Sequence, residues 1–201
     1  MTEIKSALEI ALERTQGVVG DKEKIEADKF TKEGKRLASS LLNPVDDTSE
    51  SDVKTKLKAY SGKQLSWVRE GLFQALTANI VLPFDEGYRQ KLDMVARGLG
   101  EVVPDKKRTA YVFEQLTKFF EQYLDNRAAV RQQLEQQFAA HLKQREAQLS
   151  QQVRQKVRLN PMQDPEFANA LQRNIGRLDE RYQEALDGLK EELKKMFEAS
   201  R

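Results

Sequence analysis

The stretch Leu171–Met196, LQRNIGRLDERYQEALDGLKEELKKM, and the turn sequence NPMQDPE at 160–166 just before it decide the fold class. Ile175, Tyr182, Leu189 and Met196 recur every seven residues, Leu171, Leu178 and Ala185 fill the complementary seam, and Leu186 and Leu193 widen it. A repeat of this kind is the apolar stripe of a helix that pairs with another helix. Asp164-Pro165-Glu166 marks its start, with Asp as the cap, proline at the first helical position and an acid at the positive end of the macrodipole.

Upstream of the turn, Arg127 to Asn160 is rich in glutamine and carries seven Lys or Arg against two acids, Glu135 and Glu146. Val130, Leu134, Phe138, Leu142, Leu149 and Val153 lie along one slowly drifting helical stripe. Residues 161–201 reverse the balance, with nine acids against seven bases. Opposite net signs on either side of a proline-bearing turn predict an antiparallel, coiled-coil-like helical hairpin over 127–201, turning near 160–165. Each arm spans roughly 50 Å at about 1.5 Å per residue. So long a hairpin buries only a narrow seam, and its open side is expected to be covered by the N-terminal helix or a second copy of the chain. Nothing at Asp125-Asn126 is a strong breaker, so the first arm can extend back to Asp105.

The rest of the chain reads as helices as well. Ile4, Leu8, Ala11 and Leu12 share one stripe, which Gly17 and Gly20 are expected to interrupt. Asp21 then caps a charged run through Ile25, Phe30, Leu37, Leu41 and Leu42, ended by Asn43-Pro44. Its apolar stripe is thin between Asp21 and Arg36, so this helix needs a partner. Ser61-Gly62-Lys63-Gln64 fits a capping box opening a helix with Leu65, Val68, Leu72, Ala75, Leu76, Asn79 and Ile80 on its apolar face, stopped by Pro83. Phe84, Tyr88, Leu92, Val95, Ala96 and Leu99 continue at helical spacing until Gly98 and Gly100. Pro104-Asp105 introduces an aromatic face of Val112, Phe113, Leu116, Phe119, Phe120, Tyr123 and Leu124. No segment alternates apolar and polar residues with β-branched enrichment, so no significant β-sheet is expected. The expected organisation is all-α: an N-terminal helical arm at 1–44, a compact helical core at 45–126 and the hairpin at 127–201.

Chemistry is sparse. The 201 residues include no cysteine, which removes disulfides, thiolate zinc sites and cysteine nucleophiles, and a single histidine. That residue, His141, has Gln137, Phe138, Gln144 and Arg145 at the positions where a helical metal site needs ligands, so it reads as a seam or surface residue. Asp46-Asp47-Thr48-Ser49-Glu50-Ser51-Asp52 lacks the glycine turn and closing glutamate of a calcium loop and reads as a linker and helix start. Gly34-Lys35 and Gly62-Lys63 lack the second glycine and the hydroxyl of a phosphate loop. No catalytic constellation is visible, and no cofactor or metal is expected. Trp67, beside the apolar face of the Ser61 helix, reads as a core anchor ahead of a binding hot spot.

The net charge is only +2, too small by itself to indicate nucleic acid or an anionic membrane. No run approaches the roughly 20 apolar residues of a membrane span, and the N-terminus lacks a secretory pattern, which reads as a cytoplasmic protein with no membrane role. Functionally, the expectation is a non-enzymatic interaction or scaffold protein. Its helix-pairing seam is Leu171, Ile175, Leu178, Tyr182, Leu186, Leu189, Leu193 and Met196, and its partner another protein or another copy. Lys143, Arg145, Arg154, Lys156 and Arg158 form a candidate basic contact surface, which makes a nucleic-acid-associated protein the alternative. The arm has no interleaved aromatics to stack bases, which counts against that alternative. A chaperone-like clamp is a further reading of the same hairpin.

Overall fold

A computed structural model describes residues 7–43 and 50–199, with side chains from 22–43 and 53–199. These residues form six α-helices, α1 (Ala7–Leu42), α2 (Glu50–Leu57), α3 (Gly62–Ala78), α4 (Tyr88–Val102), α5 (Lys106–Val153) and α6 (Pro165–Glu198), with a 3-10 turn at Pro161–Gln163 before the last. No strand occurs among the described residues, and the fold is all-α. The stripe expected at Ile4, Leu8, Ala11 and Leu12 and the linker at Asp46-Asp47-Thr48-Ser49 lie outside the residues whose side chains are described. The described chain divides into two compact units: one from within 1–80, 90–110 and 194–201, the other from 81–89 and 111–193.

In the first unit α1 packs along α3. The helix runs through Gly17 and Gly20 without the expected interruption. A helical glycine costs about 1 kcal/mol relative to alanine, too little to end a helix whose neighbours are good helix formers. The thin apolar stripe finds its partner at Gly34 and Gly71, where the two backbones touch. A Cβ at Gly34 would lie 2.1 Å from the Val68 carbonyl oxygen, and one at Gly71 would lie 2.0 Å from that of Thr31. Around this crossing Phe30 stacks on Trp67 with ring centroids 6.2 Å apart and meets the Tyr60 ring edge-on at 5.9 Å. Trp67 is half-buried in that cluster. The core is completed by Leu37, Ala38 and Leu41 of α1, Val68, Leu72 and Leu76 of α3, and Val95 and Leu99 of α4, with Phe73 stacked on Phe197 at 4.3 Å.

The ends of α3 and α4 differ from the sequence reading. Ser61 does occupy the N-cap of α3 in extended geometry, but its side chain makes no capping hydrogen bond. The chain instead enters the helix through Gly62 at φ +54°, a conformation open to glycine. The helix stops at Ala78, before Asn79 and Ile80 and well short of Pro83. Asn79 caps it: its side-chain amide donates to the Ala75 carbonyl at 2.8 Å, satisfying one of the orphan acceptors of the last turn. Phe84 lies outside any helix and is 88% exposed. Gly98 and Gly100 sit inside α4 and do not close it; α4 continues to Val102, where Arg69 of α3 donates to the Val102 carbonyl at 2.6 Å. At the start of α5, Asp105 accepts from the backbone N–H of Arg108 at 2.9 Å and so caps the helix.

The second unit contains most of α5 and α6 with the strap 81–89. In the strap Tyr88 meets Phe120 edge-on at 5.3 Å, Arg89 pairs with Glu121 at 3.0 Å, and the Arg127 guanidinium sits 5.4 Å from the centre of the Phe84 ring.

Candidate functional site

Within the second unit, contacts between α5 and α6 occur in opposite order along the two helices. Tyr123 donates its hydroxyl hydrogen bond to Asp179 at 2.8 Å, Asn126 donates to the Tyr182 hydroxyl at 2.6 Å, Phe138 packs edge-on against Phe167 at 5.6 Å, and Arg145 donates to Asp164. Residues further along α5 therefore meet residues nearer the start of α6, as in an antiparallel pair.

The seam residues divide by depth. Leu178, Leu186, Leu193 and Met196 are buried, whereas Leu171, Ile175, Tyr182 and Leu189 are half-buried. Full burial of a leucine side chain is worth roughly 1.5–3 kcal/mol, so the buried positions supply most of the apolar stabilisation of this helix. Of the strict seven-residue series, Ile175, Tyr182 and Leu189 thus lie along the flank and only Met196 is buried. Tyr182 marks the change from apolar seam to open surface: its ring contacts Phe119 and Tyr123 at 5.0 and 5.1 Å. Burial and the Asp179 hydrogen bond push the Tyr123 hydroxyl up to about 12.

On this flank an open groove of about 550 Å³ runs between the helices. Phe119, Ala129 and Val130 form one wall and Leu178, Tyr182 and Ala185 the other, with Gln122, Gln133 and Arg181 as polar rim. Ala129 and Ala185 are exposed.

The other end of the pair is held by side chains reaching back from α5. Arg154 ends that helix at φ 54°, a left-handed conformation costing a residue with a Cβ roughly 1–2 kcal/mol. Two hydrogen bonds hold the returning chain, from the Val157 N–H to Ser150 Oγ and from the Leu159 N–H to Glu146 Oε1, both at 2.9 Å. Asn160 Oδ1 then accepts from Met162 N–H at 3.0 Å, opening the 3-10 turn. Asp164, only 2% exposed, caps α6 by accepting from the backbone N–H groups of Glu166 and Phe167 at 2.9 and 3.0 Å. His141 Nε2 lies 3.4 Å from the same carboxylate. The Phe167 N–H first, then the Arg145 guanidinium, hold the Asp164 carboxyl below its ordinary 3.8 against the opposing effect of burial.

Of the five candidate contact cations, Arg145 is thus committed to Asp164, while Lys143, Arg154, Lys156 and Arg158 are exposed at this end of the unit. The sequence identifies Asp164 as a cap. Its partners Arg145 and His141, like the Tyr123–Asp179 and Asn126–Tyr182 pairs, carry no local signal, because neither member stands within one helical turn of the other. Among the described residues no group of three or more His, Cys, Asp or Glu could hold a metal ion, and no helix is long and apolar enough to cross a membrane.

Residues 54–195 match a family of unknown function, DUF6657. The chain belongs to that family. The DUF6657 match spans α3, α4 and α5 completely, together with most of α6, and so includes the groove and all five cations; of the seam residues only Met196 lies beyond it. No curated protein and no solved structure gives a significant match to the chain.

Proposed function

We propose that this DUF6657 chain is a non-enzymatic interaction protein whose α5–α6 pair is a two-helix platform for the same pair in a second copy. The observation that carries the reading is the open groove between Val130 and Tyr182, lined by half-buried apolar side chains and exposed alanines. Two paired helices shield only the seam between them, and a second pair laid on the open side completes a four-helix, coiled-coil-like bundle. Charge favours a copy over an unrelated helix. A two-fold axis along the bundle sets the basic arm, with its seven bases and two acids, beside the partner's acidic arm, with its nine acids and seven bases.

The test is molar mass by light scattering during gel filtration over a wide concentration range, for the intact chain and for Ala129→Glu and Ala185→Glu. Both alanines are exposed, so a carboxylate there leaves the single chain folded but places a charge in the groove. The expected result is a dimer that both substitutions convert to monomer. A monomeric parent, or a dimer indifferent to both changes, overturns the reading.

A second reading, contact with nucleic acid, is supported by the exposed Lys143, Arg154, Lys156 and Arg158 and opposed by the absence of any aromatic residue between Leu142 and Asn160. Titration with mixed DNA and RNA at low salt decides it. No binding there removes it, since phosphate contacts are strongest at low salt.

A further inference from the structure

A cavity of about 380 Å³ opens in the first unit between the end of α1, α2 and the second half of α4. Its volume lies at the lower end of the range in which proteins bind small molecules, roughly 300–1,000 Å³. The floor is apolar: Leu41 and Val53 are each 5% exposed, and Gly98 presents bare backbone. The helices pack closely at that point. A Cβ there would stand 2.5 Å from Leu76 Cδ1 and 2.6 Å from Leu41 Cδ2. The missing side chain keeps the helices close and leaves the adjoining space open.

The walls carry charge of one dominant sign. Lys54 of α2 and Lys58, in the turn just past its end, face the same space as Arg97 of α4. Both lysines are exposed, so neither ammonium is desolvated in the empty state. The one acid in the lining, Glu101, is paired with Lys106 at 3.7 Å. Three cations over an apolar floor are complementary to a ligand with an anionic group at one end and an apolar body at the other. A neutral apolar ligand would leave Lys54 and Lys58 unused. A bare inorganic anion would leave the floor uncovered.

We propose that this cavity is a binding site for a small organic anion, an aromatic or short acyl body carrying one carboxylate, sulfonate or phosphate. The apolar body rests on Leu41, Val53 and Gly98, and Lys54 and Lys58 receive the anion. The site is independent of the α5–α6 groove and stands or falls separately from the proposed association.

The probe is 8-anilinonaphthalene-1-sulfonate, followed by fluorescence with the intact chain, and its uncharged counterpart is N-phenyl-1-naphthylamine. One saturable site is expected, preferring the sulfonate by about tenfold and weakening as salt rises. Lys54→Gln with Lys58→Gln lowers the sulfonate affinity by about fivefold or more and leaves the neutral probe unchanged, each exposed charge contributing modestly. Glu101→Gln has the opposite effect and tightens the sulfonate. Because the two lysines are exposed, their replacement leaves the thermal melt in place, so lost binding reports the site and not the fold. Equal affinity for the two probes, sulfonate binding indifferent to the lysine pair, or no saturable binding at all overturns the proposal. Sulfonate binding abolished by Ala129→Glu instead would assign the probe to the α5–α6 groove and also overturn it.

Discussion

The Arg145 guanidinium of α5 pairs with the Asp164 carboxylate, which caps α6, so one buried acid both starts the second helix and ties it to the first. Asp164→Ala removes the cap and strands Arg145 together, and it is expected to lower the melting temperature more than Arg145→Ala, which leaves the cap intact. Thermal melts followed by circular dichroism compare the two directly. Equal effects would mean that the ion pair, and not the cap, dominates.

The same carboxylate predicts an acid limb. Its folded-state pKa is below the ordinary 3.8, so its contribution is fully present above the unfolded value and is lost as pH falls through the folded one. Urea midpoints measured from neutral pH down into that range should decline for the parent, and the Asp164→Asn chain should show a flatter decline from a lower starting stability.

Tyr123 predicts the complementary alkaline limb. Its hydroxyl is pushed up to about 12 from 10.0, so its contribution is complete below the unfolded value and disappears as pH rises through the folded one. Tyr123→Phe removes the hydrogen bond to Asp179 and is expected to cost about 1 kcal/mol at neutral pH. Denaturant midpoints between pH 10 and 12 for parent and variant check this, and the gap between them should narrow across that interval.

Gly34 and Gly71 allow the α1 and α3 backbones to touch, and no rotamer change can relieve a Cβ that meets a carbonyl oxygen. Gly71→Ala therefore forces the helices apart and is expected to destabilise by about 1–3 kcal/mol or more, although alanine is the better helix former. Gly100→Ala, whose Cβ would have nothing within 4 Å, is the control and is expected to be neutral or stabilising. Chemical denaturation of both variants separates the steric effect from helix propensity.

Arg154 holds a left-handed conformation where α5 ends. Arg154→Gly removes the Cβ clash but adds freedom to the unfolded chain, so a net gain of up to about 1 kcal/mol is expected. A measured loss would show that the arginine side chain contributes more at this turn than its backbone conformation costs.

Residue type and spacing alone determined the all-α class, the end of α1 ahead of Pro44, the Asp164 cap and the apolar stripe of α6. These are short-range signals: a cap bonds two or three residues away, and a stripe repeats every three or four. The helix ends were less legible where the competing terms are small. Gly17, Gly20, Gly98 and Gly100 looked like stops, yet an interior glycine costs only about 1 kcal/mol, and the helices run through all four. Ser61 looked like half of a capping box, but Gly62 takes the chain into the helix another way. Tertiary structure alone decided that Gly34 meets Gly71, that Arg145 is taken by Asp164, that Tyr182 stands at the edge of a groove and that Gly98 adjoins a cation-lined cavity. Each of these joins residues on different helices, and the energy that selects the pairing is set by which surfaces meet, a quantity no local pattern contains.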